Sequence, residues 1–375
     1  MNGKPVYLDY NATTPLDPEV IAAMRPYFEE HFGNPSSSHW YGAQPRQAVA
    51  EARARVAGLL HSAADEILFT SGGTESNNHA IRGAALESRE RGNHIITSSI
   101  EHPAVTEVCR WLAAHEFEIT WLPVDEHGLI RIADLEAALR PETILVSVMH
   151  ANNETGVVQP IAEIARLTRP RGVLLHTDAA QSAGKIAVDV QALGVDLLSL
   201  AGHKLYAPKG VGALYVRRGV RLEKLMHGAG QESGRRPGTE NVLEITGLGK
   251  ACEIAHRGLE LHAGHMRRMR DQLEAGIRAR IPQMRVNGDP ERRLPNTLSV
   301  SFRGCEAQVL LAGMADRVAA SAGAACHSGG VEISHVLRAM HLPAEWAQGT
   351  LRFSTTSDDI SEAVDAVACS VGNYR

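Results

Sequence analysis

The sequence predicts an α/β fold, with a large unit built on a mostly parallel sheet and a smaller α+β unit after it. Three observations carry this. Between about residues 60 and 216, short β-rich runs alternate with helical stretches. Several of those runs are almost continuously apolar, as in strands buried on both faces of a sheet. Beyond residue 240 the texture changes to one long helical region and a few separated strands. At roughly 150 residues per domain, a chain of 375 residues holds two such units. Cores of that size need neither disulfide nor structural metal.

Taken in order, residues 67–70, 94–97, 117–121, 144–149, 173–177, 195–200 and 213–216 read as strands. Residues 104–114 and 161–168 read as helices long enough to cross over between parallel strands. In such a sheet, ligands bind at the carboxyl ends of the strands. Residues 241–281 have a helical pattern, and Gly247, Gly249 and Gly258 predict a break or bend within it. Strands at 297–302 and 350–353, with helices near 306–314, 333–340 and 358–369, make the smaller unit. The segment 17–32 is expected to complete it. The boundaries drawn are 15–255 for the large unit, and 1–14 with 256–375 for the small one. The polar, Gly- and Arg-rich stretch 226–239 is a linker or a functional loop.

Composition narrows the function. Net charge is −5 and no long Lys/Arg run exists, which excludes binding driven by a nucleic-acid backbone. The first residues lack the apolar core of a signal peptide, and no apolar stretch approaches a membrane span. Cysteines 109, 252, 305, 326 and 369 form no CxxC pair, against a zinc ribbon or disulfide scaffold. Motifs of the forms GxxxxGK[ST], GxSxG and HExxH are absent, which disfavours a P-loop ATPase, an α/β hydrolase and a zincin. A reduced, cytoplasmic enzyme is expected, without bound metal.

Three strand ends then stand out. Ser71-Gly72-Gly73-Thr74-Glu75 follows one strand and opens a helix, where free N–H groups and the Thr hydroxyl suit a phosphate. Alone, it is equally a glycine turn with a Thr cap. Asp178 ends a second strand, as a partner for a heterocyclic nitrogen or as a helix cap. Lys204, in Gly202-His203-Lys204, follows a third, as a Schiff-base lysine or a solvated loop residue. Together they match what pyridoxal phosphate requires: a phosphate cradle, a pyridinium partner and an amine. Cys326 lies among small residues beside His327, where a thiol is accessible and the thiolate favoured. Cys109, Cys252 and Cys369 fall in helical patterns and read as buried and structural, while Cys305 is open. Arg352, a charge inside an apolar strand, needs a carboxylate from a structural Asp or Glu or from a bound amino acid.

With these residues in hand, the chain resembles the cysteine desulfurase family of fold-type I, class-V aminotransferase-like pyridoxal-phosphate enzymes. The likeness runs through Tyr7-Leu-Asp-Tyr-Asn-Ala-Thr-Thr-Pro15, Gly33-Asn-Pro-Ser-Ser37, Thr70-Ser-Gly-Gly-Thr-Glu-Ser-Asn-Asn78 and Ser99-Ile-Glu-His-Pro103. It continues through His150-Ala-Asn-Asn-Glu-Thr-Gly156, His176-Thr-Asp-Ala-Ala-Gln181, Gly202-His-Lys204 and Arg236-Pro-Gly-Thr-Glu-Asn241. It closes at Ala325-Cys-His-Ser328 and Leu351-Arg-Phe-Ser354. Single motifs are modest; their order and spacing are specific.

The resemblance implies that Lys204 holds pyridoxal 5'-phosphate and moves the Cα proton. Asp178 then pairs with the pyridine nitrogen, and Gln181 bonds the phenolic oxygen. His102 stacks on the ring and serves acid–base steps. Gly73, Thr74 and His203 belong to the phosphate site, and Thr239 reaches it from the neighbouring subunit of a homodimer. Asn153 and Arg352 orient the substrate carboxylate. Cys326 takes sulfur from L-cysteine as a persulfide, releases alanine and passes the sulfur to a protein acceptor, for example in iron–sulfur cluster biogenesis. A selenocysteine lyase, acting on L-selenocysteine, carries a similar Ala-Ala-Cys-His-Ser signature; the run from Cys326 to Val336 has the length of long-loop desulfurases. A non-catalytic sulfur-relay relative would not need Lys204, Asp178, His102 and Cys326 together, and an aminotransferase would not need Cys326.

Two positions depart from the family pattern. Ala201 stands where many members have a phosphate-binding serine, and Thr355-Thr-Ser-Asp-Asp359 replaces the usual Gly-Arg-x-Thr-Thr stretch. No extended scaffold-docking tail is expected after the last helix.

Overall fold

The computed structural model describes residues 4–327, 330–356 and 360–374; for 324–327 and 330–332 the backbone alone is described. The first part of the chain holds β1 (Val6–Tyr7), α1 (Pro18–Glu29), α2 (Trp40–Leu60), β2 (Ile67–Thr70), α3 (Gly73–Glu87), β3 (His94–Ser98) and α4 (Pro103–Ala113). Next come β4 (Glu118–Leu122), α5 (Ile132–Ala138), β5 (Thr143–Ser147), α6 (Ile161–Thr168), β6 (Leu174–Asp178), α7 (Val190–Leu193), β7 (Leu197–Ala201) and β8 (Gly212–Val216). A single helix, α8 (Val242–Arg280), leads to β9 (Arg285–Asn287), β10 (Thr297–Ser301), α9 (Ala307–Met314), β11 (Val318–Ala319) and β12 (Ser321–Ala322). The chain continues through β13 (Ala324–His327), β14 (Gly330–Ile333), α10 (His335–Ala339), α11 (Ala344–Ala347), β15 (Thr350–Ser354) and α12 (Ser361–Tyr374).

Seven strands form one sheet in the order β2-β8-β7-β6-β5-β3-β4. β8 alone runs against the rest, being antiparallel to both β2 and β7. The carboxyl ends of β2, β3, β5, β6 and β7 therefore share one edge. Alternate residues face opposite sides. Ile67, Phe69, Ile96, Ala213 and Tyr215 enter one core, and Leu68, Ile95 and Leu214 the other. This two-sided burial is why several of the strands, such as β5 and β7, are almost continuously apolar.

A second sheet, β12-β15-β10-β9, is antiparallel, and β1 pairs in parallel with β11 beside it. Its core holds Leu8 from the chain start with Leu298, Val300, Phe302, Leu351 and Phe353. The segment expected to complete this unit goes elsewhere. α1 starts at the Asp17 cap with Pro18 at its first turn, and buries Val20 and Met24 in the first core with α2 and α8. The strand β1 joins the smaller sheet instead.

Of the break or bend expected in residues 241–281, the break is absent, since α8 runs unbroken for 39 residues. Its glycines serve close packing. A Cβ on Gly249 would lie 2.5 Å from the Ala52 Cα, and one on Gly247 would lie 2.7 Å from the Met24 sulfur. The helix buries Leu248 and Cys252 in the first core and Leu273 and Ile277 in the second. Cys109, Cys252 and Cys305 are buried, but Cys369, expected inside, is exposed on α12. Among the described residues, no helix is long and apolar enough to cross a membrane.

Candidate active site

A cavity of about 280 Å³ opens where the carboxyl ends of the large sheet meet the chain start and β15. Gly73, Thr74, His102, Asn153, Asp178, Gln181, His203, Lys204 and Arg352 all line it. They arrive on several different elements, most at or just after strand ends, which is how a sheet gathers residues distant in sequence.

One wall is the start of α3. Gly72 has φ +151°, a conformation favouring glycine, and the helix opens with Gly73 directly after it. The first N–H groups of the helix lack intrahelical acceptors and carry its positive end. Gly73 faces Ala201: a Cβ there would be 3.2 Å from the alanine's. Glu75 folds back to accept from the Ser71 N–H at 2.8 Å and pairs with Arg236 at 2.9 Å. Burial works to raise its pKa, but these partners hold it below the usual value.

Asp178, at the end of β6, is buried and fixed on both oxygens. Asn77 Nδ2 donates to Oδ2 at 2.7 Å and the Ala180 N–H donates to Oδ1 at 2.9 Å. Asn77 Oδ1 is buried without a partner. Lys204 follows β7, and its ammonium donates to the carbonyl oxygens of Asn11 and, at 2.8 Å, Ala12. Burial, with the Arg352 charge, brings Lys204 down to about 8, while Asp9 and Asp178 oppose the fall. His203 shares a hydrogen bond with the Thr13 hydroxyl at 3.2 Å. Burial and the lysines beside it lower its pKa to about 4, so it is neutral near pH 7.

His102 caps α4. Its Nδ1 accepts from the Ala104 N–H at 3.1 Å, which leaves the proton of the neutral ring on Nε2. Loss of water around the ring lowers its pKa; Lys204 and His335 add to this and Asp178 opposes it. Behind it, Glu101 is wholly buried, accepting from the Met149 N–H at 2.9 Å, and burial pushes its pKa to about 8. The Glu101 carbonyl also bonds His335, at 2.9 Å.

On the smaller sheet, Arg352 Nη2 meets Asp9 at 2.7 Å and Nη1 donates to the Asn153 carbonyl at 3.0 Å. Its Nε is buried and unpartnered. A structural aspartate is thus on the guanidinium, with Nε among the donors left over. Gln181 Nε2 donates to the Asn11 carbonyl at 2.9 Å.

Of two further residues named from sequence, one lies outside this cavity and the other has a side chain outside the described residues. Thr239 is exposed and lines a separate cavity of about 270 Å³ with Ser71, Arg236 and Asn241. Cys326 belongs to β13, paired across the hairpin with Val331 of β14, and its side chain is outside the described residues. Of Thr355–Asp359, residues 357–359 are also outside; Thr355 is buried and its N–H donates to the Asn296 carbonyl at 2.8 Å. Sequence reasoning assigned nothing to Asp9, Asn11 or Asn77. Each sits inside a motif quoted above, which was the available signal.

Comparison with known proteins agrees with this geometry. Residues 6–367 match the family described as aminotransferase class-V. The chain is 47% identical over 367 residues to a cysteine desulfurase IscS of Dictyoglomus turgidum, covering 96% of this chain and 93% of the relative. A solved NifS-like protein superposes with a TM-score of 0.91 at 36% identity, covering 98% of both chains. A solved structure of SspA in complex with cysteine superposes at 0.81 with 37% identity, over 94% of this chain and 98% of that one. This chain belongs to the class-V aminotransferase family and, within it, to the cysteine desulfurases.

Proposed function

We propose that the protein converts L-cysteine to L-alanine with pyridoxal 5'-phosphate as cofactor, and transfers the sulfur through Cys326 to a protein acceptor. The observation that carries this is the meeting of a lysine, an aspartate, an arginine and a helix N-terminus around one cavity. The donor set fits the cofactor: an amine with lowered pKa, a buried carboxylate held by two N–H donors, and an anion-favouring helix end. When bound, the cofactor supplies a protonated ring that accepts electron density from the substrate Cα.

This chain's residues do the rest. Lys204 holds the cofactor, then moves a proton at the substrate Cα. Asp178 keeps the ring nitrogen protonated, and Gln181 donates to the phenolic oxygen. Gly73, Thr74 and His203 hold the phosphate, and His102 covers the ring and moves protons. Arg352 and Asn153 orient the substrate carboxylate. Cys326, as thiolate, attacks the substrate sulfur. The S–S bond forms as the Cβ–S bond breaks, its electron pair stays on Cβ, and protonation there gives alanine. That one cysteine relative was solved with cysteine bound supports the substrate.

The same reading makes residues 15–255 the cofactor unit, and 1–14 with 256–375 the smaller one. It is supported by the two cores, since the second is built from Leu8 and residues beyond 268. A homodimer is supported by exposed Phe28, Phe32 and Trp40, which are 70%, 82% and 72% exposed, and by Thr239 lying on the surface. A cytoplasmic setting is supported by Cys109, Cys252 and Cys369, which stand outside any disulfide.

The test is alanine release from L-cysteine and L-selenocysteine by wild type and Cys326→Ser. Turnover of cysteine that vanishes in the variant, with cofactor colour retained, is expected. Turnover restricted to selenocysteine would make the protein a lyase, and normal release by Cys326→Ser would remove Cys326 from the reaction.

A further inference from the structure

Lys185 is buried, 4% exposed, and no described carboxylate lies within ion-pair distance of its amine. Burying a lysine without an acid is costly, and an apolar residue of similar length would avoid that cost. Its two hydrogen bonds both go to one residue. Nζ donates to the Gln181 carbonyl at 2.8 Å and to Gln181 Oε1 at 3.3 Å. The chain is folded for this contact. The Lys185 N–H bonds the Ser182 carbonyl, and Gly184 turns with φ +74°, where a Cβ would meet Leu205 at 2.2 Å.

An amide side chain can present either its oxygen or its NH₂ group to a site. Burial and the Lys204 and Arg352 charges lower Lys185 to about 7; while charged it has no acceptor to offer, so on the acid side of that value its contact commits Oε1 to the rear. The Asn11 carbonyl in front accepts from Nε2 at 2.9 Å, which enforces the same orientation. The reversed amide would set oxygen against oxygen in front and N–H against N–H behind.

We propose that Lys185 is a positioning residue that locks the Gln181 amide with its donor toward the cavity, so that the site selects an anionic oxygen on the bound cofactor. This rests on the assignment of Gln181 to the cofactor's phenolic oxygen. The proposal can fail while that assignment stands, and the two failures read differently in the experiment below. Two lysines with distinct duties then stand on opposite sides of Gln181's contacts. Lys204 shares the Asn11 carbonyl with Nε2, and Lys185 takes the other end of the amide.

The experiment follows the absorbance of the bound cofactor against pH in the purified holoenzyme. Wild type, Gln181→Met, Lys185→Met and the double variant are compared. A phenolic oxygen deprived of its donor holds the neighbouring proton more tightly, so both single variants should raise the midpoint by about one pH unit. Because Lys185 acts through Gln181, the double variant should shift no further than Gln181→Met alone. A shift in Gln181→Met with none in Lys185→Met overturns the proposal, as does an additive shift in the double variant. An unmoved midpoint in Gln181→Met overturns the Gln181 assignment and the proposal with it. Lys185→Leu serves the same comparison if Lys185→Met does not accumulate as folded holoenzyme.

Discussion

Arg352 and Asp9, 343 residues apart, form an ion pair at 2.7 Å on the wall of the active-site cavity. The Ser321 hydroxyl donates to the same Asp9 oxygen at 2.8 Å, so the carboxylate is itself held in place. Asp9 thereby fixes the guanidinium plane and leaves Nε among the open donors. Asp9→Ala is expected to raise the KM for cysteine about tenfold while kcat changes much less, the signature of lost ground-state orientation. Steady-state kinetics over a cysteine range checks this. A fall in KM would mean that Asp9 competes with the substrate for Arg352.

The lowered pKa of Lys204 sets a pH dependence. Only the neutral amine attacks an aldehyde, and burial with the Arg352 charge brings the group from 10.5 to about 8. At pH 7 about a tenth of it is neutral, and at pH 9 most of it is. Capture of pyridoxal phosphate by cofactor-free protein should therefore accelerate across pH 7 to 9 with a midpoint near 8. Stopped-flow absorbance reads the rate. Arg352→Gln removes a charge that disfavours the ammonium, so it should move the midpoint upward; a downward move would contradict the electrostatic account.

The large sheet was legible because a two-sided sheet favours apolar residues at most strand positions, and 67–70 or 144–149 show that directly. Asp178 and Lys204 were legible because each follows such a run. What holds Lys204 was not, since the Asn11 and Ala12 carbonyls have no side-chain signature. The Asp9 contact depends on strand pairing across nearly the whole chain, which local pattern does not encode. The glycines of α8 were misread because intrinsic propensity treats them as breakers, whereas packing against Ala52 and Met24 requires their missing side chains. Cys369 was misplaced because α12 turns it to the exposed side of an otherwise apolar helix.

Ala201 faces the opening turn of α3 across 3.2 Å to the position a Cβ would take on Gly73. A hydroxyl there adds a donor at the helix end that receives the phosphate. Ala201→Ser is expected to tighten pyridoxal phosphate binding several-fold, about 1 kcal/mol. Dialysis equilibrium with cofactor-free protein measures it, and unchanged or weaker binding would show that the existing donors already saturate the phosphate.

Gly249 offers a stability test away from the chemistry. Its added Cβ would press on backbone, the Ala52 Cα at 2.5 Å, and α2 and α8 would have to separate. Gly249→Ala should cost about 2 kcal/mol despite alanine's better helix propensity. Thermal unfolding of the holoenzyme should show a lower Tm. A rise in Tm would mean that the two helices part without loss.

The pairing of β1 with β11 has a consequence for how the molecule is made. Val6 and Tyr7 find their partners only at Val318 and Ala319, and the Ser354 N–H donates to the Leu8 carbonyl. About 310 residues separate each from its partner, so they leave the ribosome well before those partners do. The carbonyls of Asn11 and Ala12 that grip Lys204 follow directly behind that strand. During synthesis the large sheet can assemble while its lysine still lacks this anchor, and the pocket closes only when the tail of the chain captures the head.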